Sequence, residues 1–216
     1  MNWLKALRLS MIWCPSNSVV SPATIPCPLS PYLLPMSNKT KERILSTALT
    51  LFNEKGLSQV PTRAISEHLH ISQGHLTYYF HKRTDILNTL FSHYEDQFTI
   101  LLDTPVENVD KYDFFAWLKA LLEINYTFRF LFLDFAQVMR ESPVFKQTYL
   151  KLRHLRKQKF MEFMNLLSPN GDDFSLVYQQ VELILEFGML YDIMEKPENN
   201  LQILAKLESD LRSIFA

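Results

Sequence analysis

The sequence predicts an all-α protein of about nine helices. Glycine is scarce, with four in 216 residues. Apolar residues recur at helical spacing through long runs, and no strand pair or internal repeat stands out. At 216 residues the chain is long enough for one large domain or two small ones.

Met1–Pro35 reads differently from the rest. It holds six of the eleven prolines, both cysteines and no acidic residue. Pro22, Pro26, Pro28, Pro31 and Pro35 exclude a regular helix over Ser21–Pro35. Three readings compete. Lys5 and Arg8 precede Met11–Trp13 as in a signal peptide, but no useful apolar run follows. The segment also suits an untethered arm. The preferred reading starts translation at Met36, since Met36-Ser-Asn-Lys-Thr-Lys leads directly into a helix. Residues 36–98 and 99–216 are then expected as two helical domains.

Ile44, Leu45, Ala48, Leu49, Leu51 and Phe52 put an apolar stripe on Lys41–Glu54, which Gly56 stops. Pro61-Thr62 opens a short second helix, with Thr62 as its expected N-cap and Ile65 and Leu69 inward. Ser72 caps a third helix running to Tyr79. A fourth starts near Arg83, with Ile86, Leu87, Leu90, Phe91, Tyr94 and Phe98 on one side. Pro105 interrupts the pattern. An apolar helix is expected over Tyr112–Phe130, then another to Arg140, ended by Ser142-Pro143. Phe145–Leu167 is long and amphipathic. Pro169-Asn-Gly turns the chain into Asp173–Glu195, apolar on more than one face. After the turn at Pro197, Leu201, Leu204, Leu207, Leu211 and Ile214 mark a last helix.

The net charge of −1 does not announce a polyanionic partner, but its distribution is uneven. Between Met36 and Phe91 lie Lys39, Lys41, Arg43, Lys55, Arg63, Lys82 and Arg83 against Glu42, Glu54, Glu67 and Asp85. Five of the six histidines fall in or just after this stretch, and the remainder is acidic. From Met36 onward there is no cysteine, so disulfides, Cys-based zinc sites and a cysteine nucleophile are excluded there. No paired-carboxylate motif, glycine-rich phosphate loop or metal-spaced histidines appear either. The sequence therefore points away from an enzyme, with no cofactor and no metal expected.

The informative segment is Thr62–Phe80. Two short helices with a tight connection at His70–Ser72 form a helix-turn-helix, whose second helix fits the major groove of DNA. Ile65, Leu69, Ile71, Leu76 and Phe80 are its expected core. That leaves Gln73, His75, Thr77, Tyr78 and Tyr79 to meet DNA. Packing remains the competing role for Tyr78, and a solvated surface position for His75.

Ile71-Ser-Gln-Gly-His-Leu-Thr-Tyr-Tyr-Phe-His-Lys-Arg-Thr-Asp-Ile-Leu87 resembles the signature of TetR/AcrR-family regulators, as does Arg43–Gly56. The resemblance spans roughly Thr40–Phe91 and implies a three-helix DNA domain, joined by a fourth helix to a helical ligand-binding and dimerisation domain. It also implies DNA contacts at Thr62, Arg63, Ser72, Gln73, Gly74, His75, Thr77, Tyr78, Tyr79, Lys82 and Arg83. Two positions depart from the family pattern. Thr77 stands where tyrosine is most frequent, and His70 where glycine is common, so a positive φ is expected at a residue that tolerates it less well.

In the second half, aromatics crowd residues 112–135. A plain core and an apolar pocket with polar anchors both fit. Phe115, Leu118, Leu122, Asn125, Tyr126, Phe135 and Tyr149 are the pocket candidates, for a small apolar or amphipathic effector. Lys151, Arg153, Arg156, Lys157 and Lys159 are expected as a solvated basic face rather than a second nucleic-acid site. Leu183, Phe187, Gly188, Tyr191, Leu204 and Leu211 are dimer-interface candidates, with burial inside the monomer as the alternative. Together these readings give a cytoplasmic, homodimeric, ligand-responsive repressor on a palindromic duplex operator, with no membrane association. The competing reading is a DNA-bound adaptor for another protein, without an effector.

Overall fold

A computed structural model describes residues 39–106, 110–169 and 173–195, with the backbone alone for Glu141 and 189–195. The extension 1–35 and the last expected helix, with Leu204 and Leu211, lie outside the described residues. Among those described there are helices and no strands.

Helix α1 (Lys39–Lys55) buries all six residues of its predicted stripe. It ends at Gly56, where φ is +78° and the N–H donates to the Phe52 carbonyl at 3.0 Å. Such a left-handed terminus is what glycine allows at least cost. Helix α2 (Thr62–His68) starts differently from the sequence expectation. Its N-cap is Pro61, with no side-chain cap, and Thr62 is the first helical residue. Proline's fixed φ sets up the helix, and the Thr62 hydroxyl accepts from Gln73 Nε2 at 3.1 Å instead. Helix α3 (Gln73–Tyr79) is capped as predicted: Ser72 Oγ accepts the His75 N–H at 3.1 Å.

The turn between α2 and α3 holds His70 at φ +55°, as its place in the motif implied. Its N–H donates to Glu67 O, and the Ile71 N–H to Ser66 O. An L side chain pays for this region and glycine does not. His70→Gly is expected to raise stability by about 0.5–1 kcal/mol, read as a higher denaturation midpoint. An unchanged or lowered midpoint would contradict this. Ile65, Leu76 and Phe80 are buried as expected, whereas Leu69 and Ile71, flanking the turn, are half-buried.

Helix α4 (Arg83–Leu102) belongs to both halves of the chain. Ile86, Leu87, Leu90 and Phe91 are buried in its first half, and Tyr94, Phe98, Leu101 and Leu102 in its second. The expected division after Phe98 therefore falls inside a continuous helix.

The expected helix Tyr112–Phe130 forms but ends three residues early, and the expected sequel to Arg140 is divided in two. Helix α5 runs over Lys111–Thr127, α6 over Phe130–Leu133 and α7 over Phe135–Glu141. Asp110 caps α5 by accepting the N–H groups of Tyr112 and Asp113. The interruption has a cause in α1. Asn53 donates Nδ2–H to the Thr127 carbonyl at 2.8 Å and accepts the Phe130 N–H on Oδ1 at 3.0 Å. One side-chain amide thus satisfies the backbone groups that the break would leave without partners.

Ser142 closes α7 and caps α8 (Pro143–Leu167), accepting the Phe145 N–H, with Pro143 in the first turn. Helix α9 (Ser175–Glu195) follows. Helix α8 packs on α4 and α9 on α5. The core between them is aromatic: Tyr94 lies 4.8 Å from Phe98 and 5.6 Å from Phe128 between ring centres, and Phe114 lies 5.5 Å from Phe163.

Candidate nucleic-acid interface

The interface builds up from Leu76. Its side chain is fully buried, so the opposite side of α3 must face outward. His75 is exposed there, and Tyr78 is 77% exposed, which removes packing as the reason for its presence. The Tyr78 and Tyr79 rings meet edge to face at 5.1 Å, and His75 lies 5.5 Å from Tyr79. The three form an aromatic ridge on the outer face. Gly74 is exposed with nothing within 4 Å of where a Cβ would stand. Thr77 is half-buried, and its hydroxyl donates to the Gln73 carbonyl.

Gln73 takes a position that its spacing did not reveal. Its Oε1 lies 3.0 Å from the buried Ser66 hydroxyl, while Nε2 donates to Thr62. The amide therefore braces α2 against α3 and uses one of its two N–H donors. Arg63 is exposed and paired with Glu67 at 2.8 Å, a hydrogen bond that raises its pKa further. Lys82 is exposed at the start of α4, where its backbone N–H donates to the Asp85 carboxylate at 2.9 Å. Arg83 is half-buried and donates Nη1–H to the Leu57 carbonyl at 2.7 Å. The eleven candidate DNA contacts all lie within this stretch of helix-turn-helix and the start of α4.

In the second half the basic run is a solvated face only in part: Lys151, Arg153 and Lys157 are exposed, Lys159 is half-buried and Arg156 is buried. Arg156 is 2% exposed. Its Nη2 reaches Glu186 Oε1 at 2.5 Å and Glu182 Oε1 at 3.0 Å. Arg153 grips Glu182 with two bonds of 2.8 and 2.7 Å, and Tyr178 donates to the same carboxylate at 2.9 Å. Lys159 donates to the Thr104 carbonyl. Glu182 and Glu186, one turn apart on α9, face α8 and draw Arg156 inward, while Arg153 reaches Glu182 from an exposed position. Burial opposes the Glu182 charge, but the bonds from Arg153, Tyr178 and Arg156 prevail and hold its pKa down at about 2. Burial and a hydrogen bond to Glu186 push Tyr149 well above the usual tyrosine range.

Of the pocket candidates, Leu118, Asn125 and Tyr149 are buried, while Phe115, Leu122, Tyr126 and Phe135 are half-buried. Phe135 and Tyr149 meet at 5.2 Å. Asn125 has both ends of its amide engaged, accepting from Tyr94 at 3.2 Å and donating to the Leu185 carbonyl at 2.7 Å. Trp117, which sequence reasoning passed over, is buried beside Phe114 and Phe163, and among the described residues its indole N–H has no hydrogen-bond partner. It is the one tryptophan after Met36, a signal available in the sequence.

Helix α9 is two-faced. Tyr178, Val181, Glu182, Leu185 and Glu186 are buried, whereas Leu176, Leu183 and Phe187 are 71, 60 and 37% exposed. Gly188 is half-buried, and the Tyr191 side chain is not described. Among the described residues no helix is long and apolar enough to cross a membrane, and no group of His, Cys, Asp and Glu is placed to hold a metal.

This fold and site define a helix-turn-helix protein with a helical second half. The family profile described as bacterial regulatory proteins, tetR family, matches residues 44–90, and one described as a bacterial transcriptional repressor matches 93–205. The chain belongs to the TetR family. It is similar to a TetR-family transcriptional regulator of Marinobacter aquaeolei VT8, with a TM-score of 0.70, 25% identity, and 79% of this chain and 88% of that one covered. It shares its fold with Salmonella enterica GusR, with a TM-score of 0.59, 19% identity, and 84% and 98% covered. A curated relative, "Probable HTH-type transcriptional regulator YttP" of Bacillus subtilis (strain 168), is 30% identical over 74 residues. The match covers 34% of this chain and 36% of that relative's length.

Proposed function

We propose that this chain is a sequence-specific DNA-binding transcriptional regulator, a ligand-responsive repressor of the cytoplasm that binds a palindromic operator as a dimer. One observation carries the reading: α3 is anchored by buried Leu76 while His75 and Tyr78 stand exposed on its other side, with half-buried Tyr79 packed against both. A braced helix with a polar, aromatic outer face suits the major groove. Tyrosine hydroxyls, Lys82 and Arg83 reach phosphate, and phosphate contacts set the register. Thr62, Arg63, Ser72 and Gln73 support this edge from the helix starts, Arg63 by exchanging Glu67 for phosphate.

The exposed Leu176, Leu183 and Phe187 supply a dimer face on α9. Two-fold pairing explains why the operator would be symmetric. Repression agrees with the description of the profile that matches residues 93–205. For the effector, a Trp117 N–H that has no partner among the described residues, in an aromatic setting, favours a mostly apolar molecule bearing an acceptor atom. Nuclease protection tests the reading: the full chain should protect a two-fold symmetric site upstream of its own gene. Absence of any protected site at low salt would refute it.

A further inference from the structure

We propose that Asp134, in the second half of the chain, is a positioning residue for DNA binding, acting through Leu57 on Arg83. The inference rests on the reading of Arg83 as a phosphate contact. Three groups make the path. Asp134 Oδ2 accepts the Leu57 N–H at 2.7 Å. The carbonyl of the same residue accepts Nη1–H of Arg83 at 2.7 Å. Arg83 opens α4 beside the end of the helix-turn-helix.

The site is shaped for this contact. Asp134 sits between α6 and α7, just past the break in the helical path that Asn53 stabilises. Gly56 lets it approach: a Cβ on Gly56 would lie 3.3 Å from Asp134 Oδ2, and φ of +78° already disfavours a side chain. Phe52 and Phe130, 5.5 Å apart, pack the two segments together alongside. The last turn of α1 and the residues after it are thus clamped at Asn53 and Leu57 by the segment Thr127–Asp134.

The chemistry favours transmission rather than mere docking. A carboxylate accepting a peptide N–H makes a short charge-assisted bond, and it fixes the position of Leu57 and with it the carbonyl of the next peptide group. Arg83 has five N–H donors and spends one on Leu57, so the fork stays oriented with donors left for a phosphate. A guanidinium fixed before binding loses less freedom on contact than a free one. Movement of the segment Thr127–Asp134 would reach Arg83 through two hydrogen bonds.

The test is a double-mutant cycle on affinity for the protected duplex, with the full chain. Arg83→Ala should weaken binding about tenfold. It should also reduce the slope of log affinity against log salt by about 0.9 for each Arg83 engaged. Asp134→Ala should reproduce part of both effects alone and add nothing in the Arg83→Ala background. Asp134→Asn keeps an acceptor for Leu57 and should retain binding near the wild-type level. A protein that is merely less folded loses affinity without a change of salt slope. Equal loss from Asp134→Ala in both backgrounds, an unchanged slope, or no loss in the Arg83-containing chain would each overturn the proposal. If Arg83→Ala itself binds as wild type, the phosphate reading of Arg83 fails first.

Discussion

Replacing Arg156 by alanine is expected to lower the stability of the chain by about 3–5 kcal/mol, and the melting temperature by about 10 °C. Arg156 is buried between two carboxylates that are each 5% exposed. Taking one charge out leaves Glu186 without its shortest partner and Glu182 with Arg153 and the Tyr178 hydroxyl. The cost comes from the carboxylates left behind in a water-poor setting, not from the strength of the ion pair. Arg156→Met combined with Glu186→Leu should therefore be less harmful than Arg156→Ala by itself. Calorimetry of the three proteins checks the ranking. Equal melting of Arg156→Ala and wild type would show that the cluster contributes nothing.

The same cluster fixes an acid limit. Glu182 has its pKa held at about 2, against an ordinary value of 4.5. A depressed carboxylate stabilises the folded state fully above its unfolded pKa. That contribution is lost as pH falls from about 4.5 towards 2. Acid unfolding followed by circular dichroism should show its loss in that window. In Arg156→Ala the folded pKa of Glu182 should rise, so the loss should be smaller and complete at a higher pH.

Gly74→Glu should abolish specific DNA binding while leaving the fold as stable as before, or more so. Nothing lies within 4 Å of the Cβ it would introduce, so no neighbour has to move. Gly74 is the second residue of α3. A helix gains from exchanging glycine for a better former, and an acid in the first turn suits the helix dipole. The same acid would face phosphate across the groove. Like-charge contact costs several kcal/mol, so affinity should fall by about 100-fold or more. Melting and titration on one preparation separate the two effects. Tight binding by this variant would remove α3 from the interface.

Much of this was legible before any coordinates. Local signals carried α1, its stop at Gly56, the Ser72 cap and the inward side of α4, and the family resemblance carried the unusual turn at His70. Each depends on residues within a few positions of one another. What escaped depends on distant partners. The sequence places a helix end near Phe130, but the run from Phe128 to Phe135 contains no proline or glycine, so nothing local marks the further division at Asp134 or the support that Asn53, more than seventy positions earlier, gives the break. Arg156 reads as one member of a basic run until Glu182 and Glu186 of another helix are brought against it. Thr62 has the chemistry of a cap, but Pro61 takes that place and the hydroxyl serves Gln73. At the site, the positions were legible and the pairings were not. Gln73 and Arg83 both emerged with partners inside the protein.

The central claim is that α3 reads duplex DNA as one of a symmetric pair. Its most direct test is selection from a pool of random duplexes by the full chain at low salt, beside Gly74→Glu. The wild type should enrich an inverted repeat with half-site centres about 10 base pairs apart, or a multiple of that. The variant should enrich nothing. No enriched sequence with the wild type, or the same sequence enriched by both proteins, would contradict it.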